Sequence, residues 1–364
     1  MNATLRQQVG QLIIAGLEGS ELTPIERAWL KLIRPAGVIL FRRNIEEAGQ
    51  TIQLLREAAE ITGAPNLRCV DLEGGLVDRL RDLVAPMPSP AAVYETGKPA
   101  VFKKHGRLIA REARSLGFNT VFAPVLDLAL PASASVMRSR AVSPKPEEVT
   151  TYASALLEGF VAEGVVGCGK HFPGLGGSNL DSHHAMPVIQ RSWQEMWHED
   201  IAPFHALSRQ LPMIMVAHAA YPEASGSNLP ASVSPFWITD VLRIKLFYRG
   251  LIVSDDMEMG GILTQRSIGE AAVEAVAAGT DILEICKDPA LILRAYESLL
   301  SEAERSLSFR RRVQQAARRV IRFKAQHKLA NVQKQSSPRT LEHLKEQVLT
   351  LARFTETKHN RLPQ

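Results

Sequence analysis

Lys170, His171, Asp181 and His183 fall within one stretch of fourteen residues, 170–183, with Gly174, Gly176 and Gly177 between the two pairs. Packing alone gives little reason for such a run, whereas a catalytic loop needs this mixture. An imidazole, with an unperturbed pKa of about 6.5, exchanges protons readily near neutral pH. Asp181, two residues before His183, is placed to orient and charge that ring. The glycines leave the loop free to swing over a bound molecule. A second group is Asp255-Asp256, which closes the apolar run 250–254. Asp255 in that position can act as a nucleophile, with Asp181 and His183 as an acid/base dyad. A carboxylate nucleophile beside a separate proton donor is the pair that retaining glycoside cleavage requires.

Two other chemistries fit the same residues less well. The segment 164–171, Gly-Val-Val-Gly-Cys-Gly-Lys-His, nearly matches a phosphate loop. However, His171 replaces the hydroxyl residue that would hold magnesium, and the match enters an apolar run where it should follow a strand and open a helix. A metal centre could draw on His171, Asp181, His183, His184, His218, Asp255 and Asp256. Against it, Gly16-Leu17-Glu18-Gly19 stands where a His-x-His would follow the first run, and no H-E-x-x-H occurs. No metal and no cofactor is expected.

The elements that must position these residues are legible as eight short runs rich in Val, Ile and Leu, at 11–17, 36–41, 67–72, 120–126, 166–172, 212–217, 250–254 and 281–286. Amphipathic stretches such as 46–61 and 149–162 separate them, and strand alternating with helix implies a parallel sheet. Eight such units over this length predict a single (β/α)8 TIM-type barrel spanning residues 1–330, with extra C-terminal helices. Asp71, Asp127, His171, His218, Asp255 and Lys287 each fall at or just past the end of a run, the position that faces the active-site mouth of a barrel. A doubly wound open sheet shows the same alternation, but the G-x-G-x-x-G turn expected after an early strand is missing. Plainer roles also exist. Asp71 and Asp127 could cap rim loops, and His218 could be a satisfied core histidine. Asp256 fits a supporting hydrogen bond better than attack, and Trp193 and Trp197 have the i,i+4 spacing of ordinary helix packing.

With 364 residues and 45% hydrophobic content, the chain can bury one large core or two ordinary ones, and one large domain is expected. It contains no apolar stretch of about 18 residues, and its first residues lack the charged-then-apolar order of a signal peptide. Cys69, Cys168 and Cys286 are odd in number, far apart and set in apolar runs, which suits free thiols in a reducing compartment. A cytoplasmic protein without membrane insertion is expected. The formal charge of +5 owes much to Arg310-Arg311-Arg312 and Arg318-Arg319, read as the solvated face of a closing helix over 297–328. No aromatic platform accompanies this charge, so no nucleic-acid partner is expected. Residues 331–364 read as a basic, loosely ordered C-terminal tail with a helix near 340–354.

In motif order the chain resembles the family 3 glycoside hydrolases, and within them the bacterial β-N-acetylglucosaminidases. Residues 70–79, Val-Asp-Leu-Glu-Gly-Gly-Leu-Val-Asp-Arg, are similar to the family's V-D-x-E-G-G-R-V-x-R. Residues 122–128 are similar to N-F-A-P-V-L-D-L, Arg140 to the start of R-S-F, 230–232 to P-A-S, and 253–257 to the nucleophile segment S-D-D-[LM]. The resemblance runs from about residue 10 to 324. It implies Asp255 as the nucleophile of a covalent glycosyl-enzyme and Asp181 with His183 as the acid/base dyad. It also implies Asp71, Arg79, Arg140, Lys170 and His171 as sugar-binding residues, and charged or bidentate partners suit hydroxyls and an acetamide. The expected activity is a retaining exo-β-N-acetylglucosaminidase acting on a small carbohydrate such as a peptidoglycan fragment in cell-wall recycling, with a monomer as the working unit. Departures cluster near the site. Gly174-Leu175-Gly176-Gly177 stands for the family's G-H-G-D, Leu76 for an arginine, and Val142 and Lys145 for an aromatic and an acidic residue. Two alternatives accompany them: an amino-sugar sensor without turnover, and a phosphorylase using the same dyad, since an imidazole does not repel an incoming phosphate.

Overall fold

A parallel barrel buries both faces of every strand, so near-continuous apolar sequence with many β-branched residues is what its strands need. The structure, a computed structural model describing residues 3–63, 65–180, 186–329 and 338–359, turns the apolar runs into such strands. In chain order they are β1 (Ile13–Gly16), β2 (Gly37–Leu40), β3 (Leu67–Val70), β4 (Leu72–Gly74), β5 (Val77–Asp78), β6 (Thr120–Val121), β7 (Val166–Phe172), β8 (Met213–Val216), β9 (Leu251–Asp256) and β10 (Ile282–Ile285). Strands β4 and β5 form a small antiparallel hairpin. The other eight close into a barrel in the order β1-β10-β9-β8-β7-β6-β3-β2. This is the expected (β/α)8 architecture.

Alternation along each strand divides the core into two layers. Ile14, Ile39, Cys69, Cys168, Met213, Met215, Val253 and Ile282 fill the barrel interior. Their neighbours Ile13, Val38, Val70, Ile214, Ile252 and Leu283 pack outward beneath the surrounding helices. Val320 and Phe323, from the helix Leu307–Gln326, complete the inner cluster. Several outer helices carry their own start signals. The helix Pro24–Ile33 is capped reciprocally by Thr23 and Glu26, and Ile268–Ala278 by Ser267 and Glu270.

Three details differ from the sequence reading. The fourth run forms only the two-residue strand β6, because Pro124 lacks an N–H for the ladder. Past it, a single bridge from Val125 to Lys170 rejoins β7. The arginine-rich helix is not simply a solvated face. Arg312 and Arg319 each reach Asp281 Oδ1 at 2.9 Å, and Arg243 pairs with Oδ2 of the same buried carboxylate. Finally, the tail holds the helix Pro338–His359, whose Leu344, Val348 and Leu351 are buried at i, i+4 and i+7. It packs on the helix Pro99–Ser115 as part of the outer layer. Among the described residues no helix is long and apolar enough to cross a membrane.

Candidate active site

Side chains that follow the C-terminal ends of the barrel strands meet over the barrel axis, and acids and bases at the ends of β3, β7 and β9 do so here, joined by Glu73 from the hairpin strand β4. Asp71 lies immediately after β3. Its Oδ1 accepts a hydrogen bond from Lys170 Nζ at 3.0 Å, and its Oδ2 is 3.7 Å from Arg79. Lys170, inside β7, also reaches Glu73 Oε1 at 2.7 Å. Glu73, on β4, accepts a two-pronged contact from Arg140, with Nε to Oε2 at 2.8 Å and a terminal nitrogen to Oε1 at 2.9 Å. The planar guanidinium matches the carboxylate fork, which fixes Arg140 in direction as well as position.

Burial opposes charge here and loses. It would lift the Glu73 pKa, but Arg140 and Lys170 hold it well below the ordinary carboxylate range. Burial would likewise depress Lys170, yet Asp71 and Glu73 keep its pKa well above the usual lysine value. Asp71 is also held low, burial being outweighed by Lys170 and Arg79. The cluster is thus a fixed array of charges, not a titrating one, at neutral pH.

His171 is set by Asp127, the aspartate just past the fourth run. Asp127 Oδ2 is 2.6 Å from His171 Nδ1, and the same carboxylate accepts the backbone N–H of His171 at 3.3 Å and of Leu175 at 2.7 Å. The carboxylate oxygen accepts, so Nδ1 carries a proton directed at Asp127. Nε2 lies 3.4 Å from an Arg140 nitrogen. Asp127 therefore does more than cap a loop, since it fixes the ring's orientation and the start of the glycine loop together.

On the opposite side, Asp255 and Asp256 end β9. Asp255 Oδ1 accepts the N–H of Asp256 at 2.9 Å, and Asp256 Oδ1 accepts that of Glu258 at 3.0 Å. Burial is the main cause pushing the Asp256 pKa up to about 7. His218, fully buried, pairs Nδ1 with Ser232 Oγ at 2.7 Å and Nε2 with the Asp256 carbonyl at 3.0 Å. It is a satisfied core histidine that ties the 230–232 segment to the end of β9.

Asp71, Arg79, Arg140, Lys170, His171 and Asp255 all line one cavity of about 150 Å³. Phe41, Met137, Leu175, Met215 and Met259 supply its apolar walls. Asp181 and His183 lie outside the described residues. Lys287 does not join the others. It is exposed, and its backbone N–H turns to Glu258. Two acidic lining residues escaped the sequence reading. Glu73 sits inside the E-G-G motif, and its partners Arg140 and Lys170 lie too far along the chain for their convergence on it to be read from the sequence. Glu284 lies in the apolar run 281–286, and a lone acid of the same strand parity as Ile282 and Cys286 was the available signal.

What the arrangement can do follows from its charges. Three cations and five acidic side chains around a one-sided apolar wall would grip a small, many-hydroxyl molecule, with Asp255 free to approach it from the barrel axis. Comparisons with known proteins agree with that chemistry. The family model described as "Glycosyl hydrolase family 3 N terminal domain" matches residues 4–323. A beta-hexosaminidase of Idiomarina loihiensis is 35% identical over 300 residues, covering 81% of this chain and 89% of its own length. One from Thioalkalivibrio sulfidiphilus is 37% identical over 300 residues, covering 80% and 85%. The solved structure of a glycoside hydrolase family 3 beta-N-acetylglucosaminidase from Paenibacillus sp. superposes with a TM-score of 0.88 at 31% identity, covering 96% of this chain and 69% of that one. The chain belongs to glycoside hydrolase family 3.

Proposed function

We propose that this protein is a retaining, exo-acting β-N-acetylglucosaminidase that removes a terminal β-linked N-acetylglucosamine through a covalent intermediate on Asp255. The observation that carries the reading is the meeting of Asp255 with the Asp71–Lys170–Glu73–Arg140 array in one cavity. That cavity, about 150 Å³, is smaller than the roughly 300 Å³ at which ligand pockets usually begin, which suits one ring and not a chain. Relatives named beta-hexosaminidase support the choice of sugar.

In this mechanism Lys170, Arg140, Arg79, Asp71 and His171 hold the ring by its polar groups, so the anomeric carbon stands above Asp255. Asp255 attacks that carbon while His183, charged and oriented by Asp181, protonates the departing oxygen. His183 then removes a proton from the incoming water, which releases the sugar with its β configuration retained. The reading extends to a cytoplasmic monomer acting on peptidoglycan fragments. Three free, buried cysteines support the reducing compartment.

Leu175 favours a second reading. It is buried and lines the cavity where the family carries an imidazole, as expected of an amino-sugar-binding protein that has lost turnover. One experiment separates the two: incubate the protein with a chromogenic β-N-acetylglucosaminide, with and without phosphate, beside Asp255→Ala. Release that vanishes in the variant supports the glycosidase, and sugar 1-phosphate formed only with phosphate moves the acceptor from water to phosphate. No release between about pH 5 and 8, where a histidine titrates, leaves the binding protein.

A further inference from the structure

Glu284 is an acid where the barrel should be apolar. It lies on β10 between Ile282 and Cys286, both members of the inner-barrel cluster, so strand alternation turns it inward. It is only 3% exposed, and in the register of β10 against β9 it stands opposite Asp256. Its side chain lines the same cavity as Asp71 and Asp255. Among the described residues no lysine, arginine or histidine forms an ion pair with it, since Lys170, Arg79 and Arg140 are engaged by Asp71 and Glu73.

The two carboxyl oxygens are not equivalent. Oε1 accepts the Cys286 thiol at 3.0 Å, whereas Oε2 is buried with no hydrogen-bond partner. An ionised Glu284 would add an unpaired charge beside Asp71, Asp255 and Asp256, so burial and then these neighbours push its pKa well above the ordinary range. A neutral acid with Oε1 already accepting carries its proton on Oε2, and a buried O–H without an acceptor costs about 1–3 kcal/mol. Such an orphan, on a side chain that lines a cavity, is the mark of a group that waits for a ligand.

We infer that Glu284 is a further sugar-binding residue, a neutral carboxylic acid on the cavity floor whose Oε2–H donates a hydrogen bond to an oxygen on the buried edge of the pyranose. This assignment rests on the sugar-pocket reading proposed above. It adds a donor to a site whose other floor groups, Asp71 and Asp255, only accept. It also gives the pocket a means of rejecting sugars that lack an acceptor at that edge, because Oε2–H is then buried unpaired.

The test compares Glu284→Leu, similar in volume but unable to hydrogen-bond, with Glu284→Gln, whose amide can donate from the same place. Three quantities are measured on each full-length protein: kcat/KM for a chromogenic β-N-acetylglucosaminide, calorimetric Kd for free N-acetylglucosamine, and melting temperature. Glu284→Leu is expected to lose about 10- to 100-fold in kcat/KM and in sugar affinity, the equivalent of one buried hydrogen bond, while its melting temperature holds or rises. Replacing a buried unpaired polar group by a hydrocarbon of similar size does not weaken a fold. Glu284→Gln is expected to recover most of the loss, to within about fivefold of wild type. A leucine variant within threefold of wild type in both kcat/KM and Kd overturns the assignment. So does a loss that tracks a falling melting temperature in both variants. A wild type that neither binds nor cleaves the sugar overturns the pocket reading itself, and this inference with it.

Discussion

Replacing Glu73 by glutamine keeps the shape of the side chain and removes one charge from the centre of the cavity. In the wild type that carboxylate takes contacts of 2.8 and 2.9 Å from Arg140 and 2.7 Å from Lys170. A glutamine oxygen can keep part of this, but its NH2 must face a cation, and Arg140 is left buried with its main counter-charge gone. Removing one partner of a buried ion pair costs about 3–5 kcal/mol. We expect Glu73→Gln to unfold with a free energy lower by that amount at pH 7, measured by urea titration with linear extrapolation. The pH dependence has a defined sign. The folded pKa of Glu73 is depressed, so its contribution is fully present above the unfolded value of about 4.3 and is lost only as pH falls through the lower folded value. The gap between wild type and variant should therefore be flat from about pH 5 to 8 and narrow below about pH 4. Because Arg140 and Lys170 lose their shared anchor, kcat/KM should fall by about 100-fold or more. An unfolding free energy within about 1 kcal/mol of wild type at pH 7 would refute the claim that this array is buried, paired and positioned by Glu73.

Asp127→Ala removes the acceptor of three N–H groups on His171 and Leu175. A stability loss of about 2–4 kcal/mol and a kcat/KM loss of about 100-fold are expected, and an active, stable variant would show that Asp127 does not set the ring. Asp281→Asn strips the shared partner from Arg243, Arg312 and Arg319. It should cost about 3 kcal/mol or more in urea unfolding while kcat/KM of the folded protein stays within about twofold. A change in kinetics without a change in stability would place Asp281 in the site after all.

The barrel was legible because its strands are buried on both faces, so the apolar runs stand out without alternation. Where the signal blurred, as at residues 120–126, a proline had ended the ladder within a run that is apolar from Val121 onward. Asp71, His171 and Asp255 were legible for a related reason, as polar residues at the ends of runs that otherwise exclude them, and Lys170 as the start of the glycine-rich stretch 170–183. The pairing of Glu73 with Arg140 was not, because 67 residues separate them and only the closed barrel brings them together. Asp281 hid its role in the same way. Arg312 and Arg319, a helix apart from it in sequence, read as a wet basic face until the fold placed a buried carboxylate beneath them. Glu284 shows the limit of reading by run: an acid inside an apolar strand is meaningful only when its inward parity is known. Nothing in the residue types signals the cis peptide between Lys170 and His171.

The central claim is that Asp255 becomes covalently bound to the sugar. The direct test is to treat the enzyme with an activated, slowly hydrolysed N-acetylglucosaminyl fluoride, quench in acid, and locate the modification by peptide mass spectrometry, with the anomeric form of the first product followed by NMR. The mechanism predicts one N-acetylhexosamine on the peptide carrying Asp255, at the position of Asp255 itself, and a β-configured first product. An adduct on another residue, or a first product of α configuration, would contradict it.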